Sequence, residues 1–195
     1  MDLSKPKALK VVEAILSGGA FTQYGLWKKA GVSFGTAHNV VKYLEQKGCV
    51  GKVGDKYAIT SWYGLLGLFH AYYSFPKSTA SFQLAAEPKQ VAKYLSENGC
   101  VLCLTTAWQH YDDYLHDRQV HAYLPSKHAE IISELSTQPK GNLPVSLYLP
   151  ELPVEPVKSK GLLMTRLPRT LLDMYSSHYS YGTSNWISKQ AKAMK

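Results

Sequence analysis

The chain has 195 residues, 45% of them hydrophobic and 18% charged, which is enough apolar material for one large core or two small ones. No apolar run reaches the roughly 18 residues of a membrane span, no charged and apolar leader opens the sequence, and the three cysteines are too few and odd in number for a disulfide framework. A cytoplasmic protein with no membrane association is therefore expected. The net charge of +8 favours polyanionic partners without choosing among DNA, RNA and anionic membrane. Residues 1–75 hold nine Lys against four acids, and residues 76–195 hold thirteen Lys and Arg against ten acids, so the first third is the denser positive region.

In chain order, residues 5–17 place Leu9, Val12, Ile15 and Leu16 at helical spacing, and Gly18-Gly19 stops that helix. Thr22 is placed to cap a second helix over residues 23–30. Gly31-Val32-Ser33 then makes a tight turn, and Ser33 caps a third helix with Ala37, Val40, Val41 and Leu44 on one face until Gly48. The segments 49–53 and 56–59 flank Gly54-Asp55, a two-residue hairpin turn. Three helices followed by a basic hairpin predict a winged helix-turn-helix, whose second and third helices are joined by the short turn that DNA-binding units need.

The third helix then carries the contact chemistry. With Val40, Val41 and Leu44 inward, Ser33, Phe34, Thr36, His38, Asn39 and Lys42 occupy the leading and outer surface. Asn39 can pair bidentately with adenine, and Thr36 and His38 can reach bases or phosphates. Lys28, Lys29, Lys42, Lys52 and Lys56 are candidates for phosphate contacts, which position a protein without specifying sequence. The alternative is a winged helix used as a protein-interaction platform, since fold alone does not decide function. Leu26, Ala30-Gly31-Val32-Ser33, Thr36, Val40, Leu44, Gly48-Cys49-Val50 and Tyr57-Ala58-Ile59-Thr60 stand in an order that resembles the winged-helix regulators of bacteria and archaea, over Phe21 to Leu68.

Residues 61–75 are apolar and aromatic almost all round, so a helix there must be buried on more than one side. It can pack between two domains or against the same helix of a second subunit. A homodimer would suit a protein reading a palindrome, and both arrangements stay open. Residues 75–79 read as a linker. Beyond it the pattern alternates, with strands at 81–85, 101–104, 120–124, 145–149 and 161–165 and helices at 88–97, 106–115, 128–135, 168–174 and 184–193. The fold class expected is α+β: a winged helix-turn-helix with its connecting helix over 1–75, then a mixed α/β domain over 78–195.

Within that second part, Thr106-Ala107-Trp108 opens a helix after a buried strand, Val120-His121-Ala122-Tyr123-Leu124 follows as a strand, and a late segment runs from Leu163 to Tyr175. These pieces resemble the antitoxins of the type IV abortive-infection systems (AbiEi-like proteins), which also place a winged helix ahead of such a domain. The resemblance implies a repressor that binds repeats near its own promoter and a second domain that restrains a nucleotidyltransferase-like toxin.

Three constellations could carry other chemistry. Cys100 and Cys103 have C-x-x-C spacing, but on a strand positions i and i+3 point to opposite faces and a second ligand pair is absent, so both are read as core. In the polar cluster from His110 to Asp117, His110, Asp113 and Asp117 would share a helical face able to hold a divalent ion; a solvated helix surface is the plainer reading. Arg169 and Asp173 stand at i,i+4 as an ion pair, while Arg166 and Arg169 are also candidates for contact with nucleic acid or an acidic partner. The expectation is a sequence-specific regulator of double-stranded DNA, not an enzyme, with no cofactor and no metal. The rival from another class is a metal-dependent nucleic-acid-processing enzyme built on the 110–117 cluster.

Overall fold

A computed structural model describes residues 1–113, 115 and 117–193. The chain divides into two compact units, one formed by Met1–Ser74 together with Tyr175–Lys195, the other by Phe75–Met174. The fold is mixed α+β, with helices leading and the larger sheet following.

The first unit opens with α1 (Pro6–Leu16), which buries Leu9, Val12, Ile15 and Leu16 on one stripe. Gly18 and Gly19, at φ of +90° and +81°, turn the chain out of it as only glycines readily do. Helix α2 (Gln23–Ala30) starts where the Thr22 hydroxyl accepts the Gly25 N–H at 3.0 Å. Helix α3 (Phe34–Gln46) starts where the Ser33 hydroxyl accepts the Thr36 N–H at 3.2 Å, and it buries Ala37, Val40, Val41 and Leu44. Strands β1 (Val50–Val53) and β2 (Lys56–Ile59) form an antiparallel hairpin in which Val53 pairs with Lys56. Gly54 takes φ of +61° and Asp55 does not, the sign pattern of a type II′ turn. Phe21 docks on this hairpin by two backbone hydrogen bonds with Tyr57, of 2.8 and 2.7 Å, and by ring stacking.

Helix α4 (Trp62–His70) is shorter than the 61–75 expected, with Ser61 as its cap. Its apolar face buries Trp62, Leu65, Leu66 and Phe69. It is covered by α9 (Ser184–Ala193), where Trp62 and Trp186 meet edge to face at 5.3 Å and Ile187 is fully buried. The C-terminal segment therefore belongs with the N-terminal unit, whereas the sequence pattern assigned all of 78–195 to one domain.

The second unit is a six-stranded mixed sheet in the order β3-β6-β5-β4-β8-β7. Its strands are β3 (Ala80–Leu84), β4 (Val101–Leu102), β5 (Val120–Tyr123), β6 (Leu143–Tyr148), β7 (Pro156–Ser159) and β8 (Leu162–Thr165). The helices are α5 (Pro88–Glu97), α6 (Leu104–Trp108), α7 (Ala129–Thr137) and α8 (Leu167–Tyr175). Pairing is parallel for β5–β6 and β4–β8 and antiparallel elsewhere. Leu95, Leu102, Val120, Ala122, Val145, Leu147 and Met164 are among the most deeply buried of its apolar core. Strand β7 was not expected, because its segment is rich in prolines. It forms by a two-residue hairpin onto β8 through Lys160 and Gly161, both at positive φ (+48° and +84°). Helix α6 is shorter than the 106–115 expected, and its turn off β4 holds buried Leu104 at φ of +47°.

Beside that core lies a buried polar network. The Arg169 Nε donates to Asp173 at 2.8 Å, Nη1 to the Pro153 carbonyl at 3.0 Å and Nη2 to the Tyr123 hydroxyl at 3.4 Å, with the guanidinium over the Tyr123 ring. Tyr148, next to Tyr123, hydrogen-bonds His121 Nδ1 at 3.0 Å. Among the described residues no helix is long and apolar enough to cross a membrane.

Candidate nucleic-acid interface

Helices α2 and α3 are joined by three residues, each with a separable task. Gly31 takes the left-handed conformation (φ +61°) that ends α2, Val32 is half-buried, and Ser33 caps α3. This short turn, pinned at both ends, fixes the direction in which α3 leaves α2. The face of α3 opposite Ala37, Val40, Val41 and Leu44 is left outward, where Phe34, Asn39 and Lys42 are exposed. Among the described residues, Asn39 and Lys42 have no hydrogen-bond or ionic partner, so both side chains are free to bond elsewhere.

The other candidates on α3 are more constrained. The Ser33 and Thr36 hydroxyls bond one another at 2.9 Å while Ser33 caps the helix, so their first role is structural. His38 is half-buried, its Nδ1 on the Gln23 side-chain oxygen at 3.0 Å and its ring stacked on Phe34. Gln23 therefore sets which imidazole edge faces outward, a role that a partner fifteen residues away hides from local sequence spacing. Phe34 is 48% exposed and Tyr24 60%, two large apolar surfaces on an otherwise polar pair of helix starts. Tyr24 was not among the expected site residues; its signal is an aromatic on a helix whose buried positions are only Leu26 and Ala30.

The lysines divide by position. Lys28 and Lys29 sit in the last turn of α2, where cations also favour the helix dipole, and Lys28 lies 4.6 Å over the Tyr24 ring. On the hairpin, Lys52 is opposite Tyr57 and Lys56 is opposite Val53. Directly opposed residues share a face and neighbours alternate, so Lys52 and Lys56 stand on opposite faces. The hairpin thus presents one lysine on each of its two faces.

Charge follows the division into units more sharply than it follows chain position. Residues 1–74 and 175–195 hold twelve Lys against four acids, a net of +8, whereas 75–174 hold ten Lys and Arg against ten acids, a net of zero. The whole excess therefore belongs to the unit that contains α3 and the hairpin. Lys189 and Lys192 of α9 contribute to it.

The remaining candidates lie in the second unit. Arg169 is 2% exposed with its three donor nitrogens engaged inside the protein, so it is not presented to a partner as expected for a contact residue; burial explains the difference. Arg166 is exposed and pairs with Glu155 at 3.4 Å. Burial pushes the Asp173 carboxyl up to about 6, against the lowering effect of Arg169 and Tyr123. His110, Asp113 and Asp117 do not share a helical face, because α6 ends at Trp108; Tyr114 and His116 of that cluster lie outside the described residues. The Asp117 carboxylate instead accepts the Thr105 hydroxyl at 3.1 Å and the Gln119 N–H at 3.0 Å, which ties down its loop. Among the described residues no group of three or more His, Cys, Asp or Glu is placed to hold a metal ion. Cys100 and Cys103 are buried free thiols, and burial raises both, Cys100 to about 11.

No family model matches this chain, and no curated protein or solved structure matches it either.

Proposed function

We propose that the first unit is a winged helix-turn-helix that binds double-stranded DNA sequence-specifically, and that the protein is a transcriptional regulator acting as a repressor. The observation that carries this reading is the outward face of α3, where Asn39 and Lys42 stand exposed and without partners, in the unit that holds the entire net charge. In this arrangement α3 enters the major groove, Asn39 reads a base edge, and Lys28, Lys29 and Lys42 reach phosphates. The hairpin is the wing, its two lysines flanking the backbone. The resemblance of residues 106–124 and 163–175 to AbiEi-like antitoxins extends the proposal: the protein represses its own promoter, as a homodimer on repeated half-sites, and a nucleotidyltransferase-like toxin is its protein partner.

The test is binding of the purified chain to a duplex from its own upstream region, against a scrambled duplex of the same length. Asn39→Ala is expected to relax selectivity by about 1–3 kcal/mol at the base it contacts. Equal affinity for both duplexes, unchanged in the variant, would contradict sequence readout and favour a protein-interaction module.

A further inference from the structure

The second unit has no net charge, yet one of its cavities is lined by three lysines. It has a volume of about 510 Å³ and lies over the sheet beside α5. That size is in the range of sites that enclose a small molecule, roughly 300–1,000 Å³. The apolar part of its wall is formed by Ala92 of α5, Leu102, Val120 and Leu162. Lys89 and Lys93 stand one helical turn apart on α5, and Lys160 reaches in from the β7–β8 turn.

The acidic lining residues are already committed. Glu97 pairs with Lys93 at 3.8 Å, and Asp117 is held by Thr105 and Gln119. Among the described residues, Lys89 and Lys160 form no ion pair. The polar side chains of the wall are likewise tied inward. Thr106 donates to the Gln119 carbonyl at 3.2 Å and accepts the His121 N–H at 2.8 Å, and Gln109 donates to the Asp117 carbonyl at 2.6 Å. The wall is thus internally bonded, and its three lysines outnumber its two carboxylates.

Lys160 is the most telling residue. It occupies the first position of a two-residue turn at φ of +48°, where Asn, Asp or Gly is favoured and a long side chain is strained. Strain of this sort persists where something else holds it, and it collects at ligand-binding positions. His110 also lines the cavity, and burial together with the neighbouring Lys160 holds its imidazole below the ordinary value. Burial is the larger of the two causes, and both favour the neutral imidazole.

We propose that this cavity binds a small organic anion, a compact phosphate or carboxylate head on an apolar body, with Lys89 and Lys160 gripping the head. The apolar part of the wall takes the body, and the lysines supply the charge that selects against neutral molecules of the same shape. The site is a ligand-binding function of the second unit and does not depend on the DNA-binding reading.

Calorimetric titration of the full chain, without DNA, tests it with phenyl phosphate, benzoate and, as the neutral counterpart, benzyl alcohol. Saturable binding of phenyl phosphate or benzoate supports the site, the tighter of the two naming the head group. Lys89→Gln and Lys160→Asn are each expected to weaken it by roughly tenfold to a hundredfold. Asn suits the left-handed turn better than Lys does, so the second loss is not a loss of fold. Lys158→Gln, on β7 outside the cavity, is expected to leave affinity unchanged. Failure of both anions to saturate, benzyl alcohol binding as tightly, or an equal loss in Lys158→Gln would each overturn the proposal.

Discussion

The two units of this chain use charge in opposite ways. The first carries twelve Lys against four acids, and its candidate contact residues Asn39, Lys42, Lys52 and Lys56 are all exposed. The second balances ten against ten and takes one opposite pair, Arg169 and Asp173, into its interior, with side chains 3% and 0% exposed. Exposed like charges repel one another and add nothing to the core. A buried pair touches nothing outside, and its consequence is for folding. The same residue types therefore stand outward and unbalanced in one unit and are in part folded inward as a pair in the other, with burial as the discriminator.

The largest effect that would sharpen this contrast lies in the buried pair. Asp173→Ala leaves the Arg169 guanidinium buried without its counter-charge, and a loss of about 3–5 kcal/mol is expected in urea unfolding. A loss no larger than that of an exposed pair such as Arg166–Glu155 would contradict the structural role given to it. Next is Ile187→Ala on α9, expected to cost about 2–4 kcal/mol because a fully buried aliphatic side chain is removed from beneath α4. The loss should fall on the first unit and be seen at its Trp62–Trp186 pair by fluorescence. A neutral outcome would break the assignment of the C-terminal segment to that unit.

The pH dependence of the second unit follows from Asp173. Its folded carboxyl is raised to about 6 from an ordinary 3.8, so the folded state holds the proton longer than the unfolded chain. The stability it contributes is complete below about pH 4 and is lost as pH rises toward 6. Wild type should therefore lose stability relative to Asp173→Asn across that window, and a gain instead would reverse the sign. The smallest effect is at the start of α3: Ser33→Ala removes the cap on Thr36 and is expected to cost about 1 kcal/mol.

Much of the first unit was legible because its local signals agree. Thr22 and Ser33 as caps, Gly31 as a left-handed stop, and Gly54-Asp55 between two strands each act within a few residues. The same periodicity that buries Val40, Val41 and Leu44 exposes Asn39 and Lys42, so the candidate surface of α3 could be read from spacing. What escaped was non-local or locally misleading. The cover of α4 by α9 joins residues more than a hundred positions apart, and Gln23 holds His38 across a turn. Strand β7 was hidden by its prolines and by a Lys in a turn position that Asn or Gly normally takes. The helix expected through 115 stops at Trp108, and Gln109 and Asp117 join the ends of the following segment instead.

The central claim, that charge in the first unit faces DNA and charge in the second does not, is tested most directly by the salt dependence of binding to the upstream duplex. Lys42→Gln in the first unit is compared with Lys127→Gln, an exposed residue of the second. The account predicts that Lys42→Gln lowers affinity and reduces the slope of log K against log salt by about 1, while Lys127→Gln leaves both unchanged. Equal slopes for wild type and Lys42→Gln, or a reduced slope in Lys127→Gln, would contradict it.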